Sequence, residues 1–447
     1  MISSHISPTI GSRFFLILAL ILRVIWAVGA PQWDPKLRAS ERWGDAQSYH
    51  LLAESILRGQ GLERDGQPTA FRPPVYPIFL AALYLLLGSS PLVLRCVQSL
   101  LGVLTVYLIY RLARRSHHAG GEPLQLALNR TLGEMSPPTA GEKVGMGRTE
   151  YGQEESWVGV LACGMIALHP LSIYAGGWLY GETLAVLLVT MALLASLDQR
   201  GFVQAIAGLL AAAAILTRPP IFLLLPGIII QSLLLHPGPV RMKLLRAGLV
   251  LCSALVLLFP WTIRNKIQLG KWIPLTTSSG ANLWGGNNPQ SNGGFTALPA
   301  HPNQSSPYFV EGMSEVESDA FLRSAARSYV KENPVSALLK APKKLLRLFS
   351  PVEFGTSGKL SLNLSGLLWI GQGSFLSFAF LGMAASAKQW KKWLGAWSML
   401  LGILFSAILF FGSPRFHLPA LPVLCLFAAR GVTFSVERVR TLHPVRT

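Results

Sequence analysis

Long apolar blocks, parted by short polar loops, constrain this 447-residue chain more than any other feature. A helix needs roughly 20 apolar residues to cross the hydrocarbon layer, and no water there satisfies an unpaired backbone group. Ten segments approach that requirement: 13–28, 92–110, 157–174, 182–197, 202–216, 220–235, 245–261, 364–384, 393–411 and 418–434. Only 13% of the residues are charged, about half the share in an average soluble domain. The chain is therefore expected to be an all-α polytopic membrane protein with about ten transmembrane helices.

Charge orients these helices. The formal net charge is +18, but the lysines and arginines gather in short loops that fall on one side of the ten-helix thread. Arg111, Arg114, Arg115, Arg200, Arg241, Lys243, Arg246, Lys388, Lys391, Lys392 and the basic C-terminal tail all lie there. Cytoplasmic loops carry such an excess, so this side is read as cytoplasmic, with both termini inside and the protein in the cell (inner) membrane. No aromatic-basic platform or zinc-finger spacing accompanies the charge, so nucleic acid is not an expected partner. Four cysteines, each alone in an apolar segment, read as buried packing residues. The N-terminal apolar segment imitates a signal peptide, but Pro31 follows the would-be cleavage site and Arg23 interrupts the apolar run, so a retained first helix is expected.

The thread holds only if residues 75–87 do not span. Thirteen residues suit an interfacial or re-entrant segment better than a crossing. The first outer loop then runs over 30–91, with an amphipathic stretch at 46–57. A second long outer loop, 264–363, is expected to form a small domain of mixed structure. It opens on a Gly/Asn/Ser-rich segment at 278–294 and continues with a helix at 314–331. A basic amphipathic stretch follows at 337–349, whose Lys340, Lys343, Lys344 and Arg347 suit the headgroup plane or the loop domain itself. Residues 116–156 are polar and aperiodic and read as a disordered cytoplasmic insertion.

The residues able to do chemistry lie on the outer side. Asp45, just before a helix, fits an N-cap, and equally a general base toward an incoming hydroxyl. Glu182 opens the fourth span, where a carboxylate complements the helix dipole and where border acids are also functional candidates. Arg72, Arg95, Arg218, Arg264 and Arg415 mark outer helix ends, against the usual charge bias. Such arginines either snorkel to headgroups or clamp a phosphate, whose oxygens match the guanidinium fork. Tyr49 and Tyr76 can anchor at the interface or bond phosphate and sugar. Asn282, Asn287 and Asn288 can form turns or bind sugar hydroxyls. Arg23, deep in the first span, is expected to pair internally. No metal-ligand, nucleotide-loop or hydrolase motif occurs, and no metal or other cofactor is expected.

Taken together, these residues resemble the GT-C glycosyltransferases of the family 39 type, bacterial relatives of protein O-mannosyltransferase and lipid A aminoarabinose transferase. The resemblance is carried by Asp45-x-x-x-Tyr49 with Gly59 and Gly61, and by Arg72-Pro73-Pro74-x-Tyr76-Pro77. It continues through Pro170 before Glu182, Arg218-Pro219, Pro260-Trp261-x-x-Arg264-Asn265, the Asn282 to Pro289 segment and Arg415-x-x-x-Pro419. It covers most of the chain outside 116–156. It implies an inverting transfer of a sugar from a polyprenyl-phosphate donor to a hydroxyl acceptor (lipid, glycan or protein) at the outer face. Asp45 and Glu182 would then be the catalytic acids. Arg415, Arg264, Arg72 and Arg218 would contact the donor phosphate, and Tyr49, Tyr76 and Asn287 the substrates. One departure weakens any metal proposal: many relatives carry two adjacent acids where this chain has Gly44-Asp45. A polyprenyl-linked glycan polymerase and a lipid or sugar transporter remain as alternatives.

Overall fold

The structure is a computed structural model that describes residues 8–33, 44–118, 145–296, 308–351 and 362–442. Helix dominates, as apolar sequence of this length requires. Helix α1 is Pro8–Trp33 and α2 is Asp45–Leu57. A two-residue hairpin follows, Glu63–Arg64 paired antiparallel with Gln67–Pro68. Then come α3 (Val75–Leu87), α4 (Pro91–His118), α5 (Gly145–Leu168), α6 (Pro170–Ala175), α7 (Glu182–Ser196), α8 (Gly201–Ile215), α9 (Leu224–Leu234) and α10 (Val240–Leu269). The second long loop contributes α11 (Ser279–Gly286), α12 (Glu315–Glu332) and α13 (Pro334–Leu348). The chain closes with α14 (Leu362–Ala385), α15 (Leu394–Leu409) and α16 (Leu421–Leu442).

Six helices among the described residues are long and apolar enough to cross a membrane: Pro8–Trp33, Pro91–Ser116, Val240–Leu269, Ser365–Ala385, Ala387–Leu409 and Pro414–Val439. The other four expected crossings are helical but shorter: Trp157–Leu168, Glu182–Ser196, Gly201–Ile215 and Pro219–Leu234. Prolines account for two of the breaks. Pro170 and the Pro219-Pro220 pair lack a backbone donor and cannot continue the preceding helix. Segment 75–87 forms the short helix α3, as its length requires. The insertion read as 116–156 is helical where it is described, since α4 runs to His118 and α5 begins at Gly145. Residues 119–144 lie outside the described residues. Among the described residues of 264–363 no strand occurs, and the small hairpin sits in the first long loop instead.

Close helix crossings rest on glycine. A Cβ on Gly382 would lie 1.8 Å from the Phe427 carbonyl oxygen, and one on Gly431 would lie 2.0 Å from that of Phe378. These two glycines let the backbones of α14 and α16 touch, the usual device of helices that pack without a hydrophobic drive. Arg23 pairs internally, as expected, but with backbone carbonyls and a serine hydroxyl rather than an acid. Its guanidinium donates to Ala167 O at 3.2 Å, Ile166 O at 3.2 Å and Ser172 Oγ at 2.8 Å. The break at His169-Pro170 strands the last carbonyls of α5, and Arg23 satisfies them.

The loops sort to two ends of the bundle. At one end Asp198 pairs with Arg115 and Arg200, and Lys392 Nζ donates to Ser116 O at 2.6 Å. These are the segments read as cytoplasmic. At the other end the two long loops are joined. Arg264 donates to Thr69 O at 2.8 Å and Leu62 O at 2.6 Å, and Glu315 Oε1 accepts from Ala70 N at 2.8 Å and from Thr277 Oγ1 at 2.5 Å. Glu315 opens α12, whose Ser314 and Glu317 form a capping box.

Candidate active site

Gly44 and Asp45 start the site. Gly44 has φ 139° and ψ −151°, a conformation essentially reserved for glycine. A residue with a side chain in place of Gly44 would be strained there. Asp45 is the first residue of α2, not its N-cap, and its side chain caps nothing. The carboxylate instead turns to two guanidinium groups. Oδ1 accepts from Arg72 Nη2, and Oδ2 accepts from Arg415 Nη1 at 2.7 Å. Asp45 is 8% exposed. Burial alone would raise its pKa, but the charges of Arg72 and then Arg415 outweigh burial and hold the carboxyl well below the usual range. Arg72 is buried too, yet the Asp45 carboxylate keeps its pKa above the ordinary value.

This triad joins residues 45, 72 and 415, from a loop-to-helix corner, a Pro-Pro turn and the segment before the last span. It borders a cavity of about 880 Å³. The wall adds the amides Asn282, Gln290 and Asn292, the aromatics Tyr180, Phe295 and Tyr308, and Arg347. Three guanidinium groups and one carboxylate are thus the charges among the described lining residues. Polar amides with aromatic faces suit a hydroxyl-rich ligand, and the guanidinium groups suit an anion. Among the described residues no three His, Cys, Asp or Glu side chains come together.

A second ion pair lies beside the first. Arg218 Nη1 stands 3.3 Å from Glu182 Oε1, and Glu182 is 1% exposed. Phe416 separates the pairs: its ring centre is 5.3 Å from the Arg218 guanidinium carbon and 5.6 Å from that of Arg415. Tyr49 interacts electrostatically with Arg72, Arg218, Glu182 and Asp45, and burial is the first cause of its raised pKa. Glu182 itself faces a pocket of about 20 Å³ beside Ser172 and Thr105, room for about one water molecule.

The structure therefore divides the expected site. Asp45, Arg72 and Arg415 meet at the large cavity, with Tyr49 behind them. Glu182 and Arg218 are neighbours, not lining residues. Three further expected residues lie away from the cavity. The Arg264 guanidinium is spent on the carbonyls of Leu62 and Thr69 and does not line the cavity. Tyr76 is buried, donates to Gln98 Oε1 at 3.2 Å and packs edge-on against Tyr49 at 4.9 Å. Asn287 is buried, its amide donating to Leu283 O and Leu409 O while its oxygen accepts from Lys344 Nζ, each at 2.8 Å. Lys344 and Lys340 in turn point into the loop domain rather than toward headgroups, Lys340 donating to Asn288 O at 2.8 Å. The cavity-lining Gln290, Asn292, Tyr180 and Tyr308 escape a sequence reading, because isolated amides and tyrosines carry no spacing signal.

No protein-family profile matches the chain, and no curated protein does. Among solved structures, the chain is similar to the apo form of the oligosaccharyltransferase of Archaeoglobus fulgidus, at 11% identity and a TM-score of 0.47. That likeness covers 96% of this chain and 51% of the other, so the chain spans about half the length of the structure it resembles.

Proposed function

We propose that the chain is a GT-C-type glycosyltransferase that moves a sugar, with inversion, from a polyprenyl-phosphate donor to a hydroxyl acceptor at the outer face of the membrane. In this reading all ten apolar helices cross, both termini lie inside, and the cavity opens at the outer rim. The observation that carries it is the Arg72–Asp45–Arg415 bridge at the edge of an amide- and aromatic-lined cavity. The opposite end of the bundle gathers the basic loops.

The chemistry follows from charge. The acceptor oxygen attacks the anomeric carbon as the bond to the phosphate oxygen breaks. The acceptor proton passes to the Asp45 carboxylate, and the departing polyprenyl phosphate gains one negative charge. Guanidinium groups aimed at that developing charge stabilise the transition state more than the ground state. Asp45 held by two arginines is a weak base. A donor phosphate that draws Arg72 or Arg415 toward itself loosens that hold, so Asp45 becomes basic once the donor is seated. Glu182 and Arg218 support Phe416 and Tyr49 from behind.

The test is transfer from a labelled polyprenyl-monophosphate sugar in membranes containing the protein. Wild type should release polyprenyl phosphate, and Asp45→Asn should slow release by about 10²–10⁴-fold, the range for a general base, while inserting normally. Unchanged release in Asp45→Asn refutes the role given to Asp45. Vectorial movement of the intact lipid, with no release, would instead indicate a transporter.

A further inference from the structure

Helix α13 is amphipathic in an unusual sense. Val335, Leu338, Leu339 and Leu346 are 69%, 72%, 63% and 56% exposed, while Lys340 and Lys344 are buried. The apolar residues thus face outward, with the exposed Lys343 among them, while Lys340 and Lys344 face the protein. Lys344 Nζ donates to Ile408 O at 2.9 Å, which seats α13 on the end of α15. That end of α15 belongs to a candidate membrane span whose Leu401, Phe405 and Ile408 are also exposed. Both helices thus expose apolar side chains of the kind that lipid covers, at the end of the bundle that holds the cavity.

From the inner side of this helix Arg347 reaches the cavity. The wall around it is built for close approach. A Cβ on Gly294 would lie 2.9 Å from Arg347 Nη1, and one on Gly412 would lie 2.9 Å from Arg347 Cβ and 1.9 Å from Lys344 O. The two glycine-bearing loops are laced together by Gly412 N donating to Gly293 O at 2.9 Å. One helix thus has an exposed apolar face and a guanidinium at the cavity, with glycine backbone packed around that side chain.

We infer that Arg347 binds the phosphate of a lipid whose tail remains in the bilayer, and so selects membrane-anchored phosphate donors over free ones. The inference rests on the glycosyltransferase reading and adds to it a binding residue that the sequence motifs do not include. A lipid phosphate sits at the polar boundary of the bilayer, the level at which a helix with one face in lipid carries its inward side chains. A guanidinium there engages two phosphate oxygens at once, where a lysine offers a point charge.

The experiment measures binding of polyprenyl phosphate and of inorganic phosphate to the full chain in nanodiscs. Wild type should bind the lipid at least about a hundredfold more tightly than inorganic phosphate. Arg347→Gln should weaken lipid binding by about tenfold, the worth of one charge-assisted hydrogen bond, and Arg347→Lys should recover part of it. Leu338→Gln with Leu339→Gln, on the outward face away from the cavity, should weaken lipid binding and leave inorganic phosphate unaffected. Equal lipid binding by wild type and Arg347→Gln would overturn the role of Arg347 and leave the glycosyltransferase reading intact. Equal binding of the two phosphates by wild type would overturn the selection. No lipid binding by wild type would overturn both the inference and the reading beneath it.

Discussion

Replacing Asp45 by asparagine should tighten the binding of a lipid phosphate, although it slows transfer by about 10²–10⁴-fold. In the unliganded site Asp45 engages both Arg72 and Arg415, and it is 8% exposed. An incoming phosphate must displace or share at least one of these bonds. A hydrogen bond to a charged group is worth about 1.5–3 kcal/mol, so removing the competitor should improve phosphate affinity by roughly ten- to a hundredfold. An amide oxygen still accepts from one arginine, which favours the lower figure. The same change leaves two guanidinium groups facing each other, and breaking a buried pair costs about 3–5 kcal/mol, less where the cavity admits water. The variant should therefore melt earlier when empty and regain more stability than wild type on adding polyprenyl phosphate. Binding in nanodiscs and thermal unfolding with and without the lipid check both halves. Weaker phosphate binding by the variant would refute the exchange, because it would mean that Asp45 holds the arginines in place for the phosphate rather than competing for them.

Further expectations follow from individual contacts. The depressed pKa of Asp45 means that its ionised form stabilises the fold. That contribution is complete above the unfolded carboxyl value of about 3.9 and is lost as pH falls through the lower folded value. The stability gap between wild type and Asp45→Asn should thus stay constant from pH 8 to pH 5 and narrow only below about pH 4, as read from unfolding midpoints. Arg264→Gln should lower stability by about 1–3 kcal/mol through loss of its bonds to Leu62 O and Thr69 O, yet leave the affinity for polyprenyl phosphate within about twofold of wild type. A drop in affinity comparable to that expected for Arg347→Gln would return Arg264 to the phosphate site. Asp65→Cys, at the exposed turn of the hairpin, should react with an impermeant maleimide in intact cells, and Lys391→Cys only after permeabilisation. The reverse labelling would invert the proposed orientation.

Asp45, Arg72 and Arg415 could be found in the sequence because each breaks a local expectation: an acid after a glycine in an outer loop, and arginines where the charge bias disfavours them. The same signal gave Arg264 and Arg218, which the structure sends elsewhere. An arginine at an outer helix end satisfies either backbone carbonyls or a ligand, and nothing in its neighbours along the chain distinguishes the two. Arg347 was masked by its company, since a lysine-rich amphipathic stretch suggests headgroups whichever way its cations turn.

The apolar blocks and the placement of lysine and arginine were enough to determine a set of apolar helices, several long enough to cross a membrane, their order and which loops share an end. These are local consequences of backbone desolvation and charge, and they hold for any packing of the helices. Packing alone decided which of the candidate residues meet. Phe416 parts two ion pairs that the sequence would have merged, and the inward turn of α13 brings Arg347 to the cavity. Contacts between residues 45 and 415, or 294 and 347, depend on the rotation and depth of helices far apart along the chain. No periodicity encodes those quantities, because they are fixed by close contact of side chains and glycine backbones across the bundle.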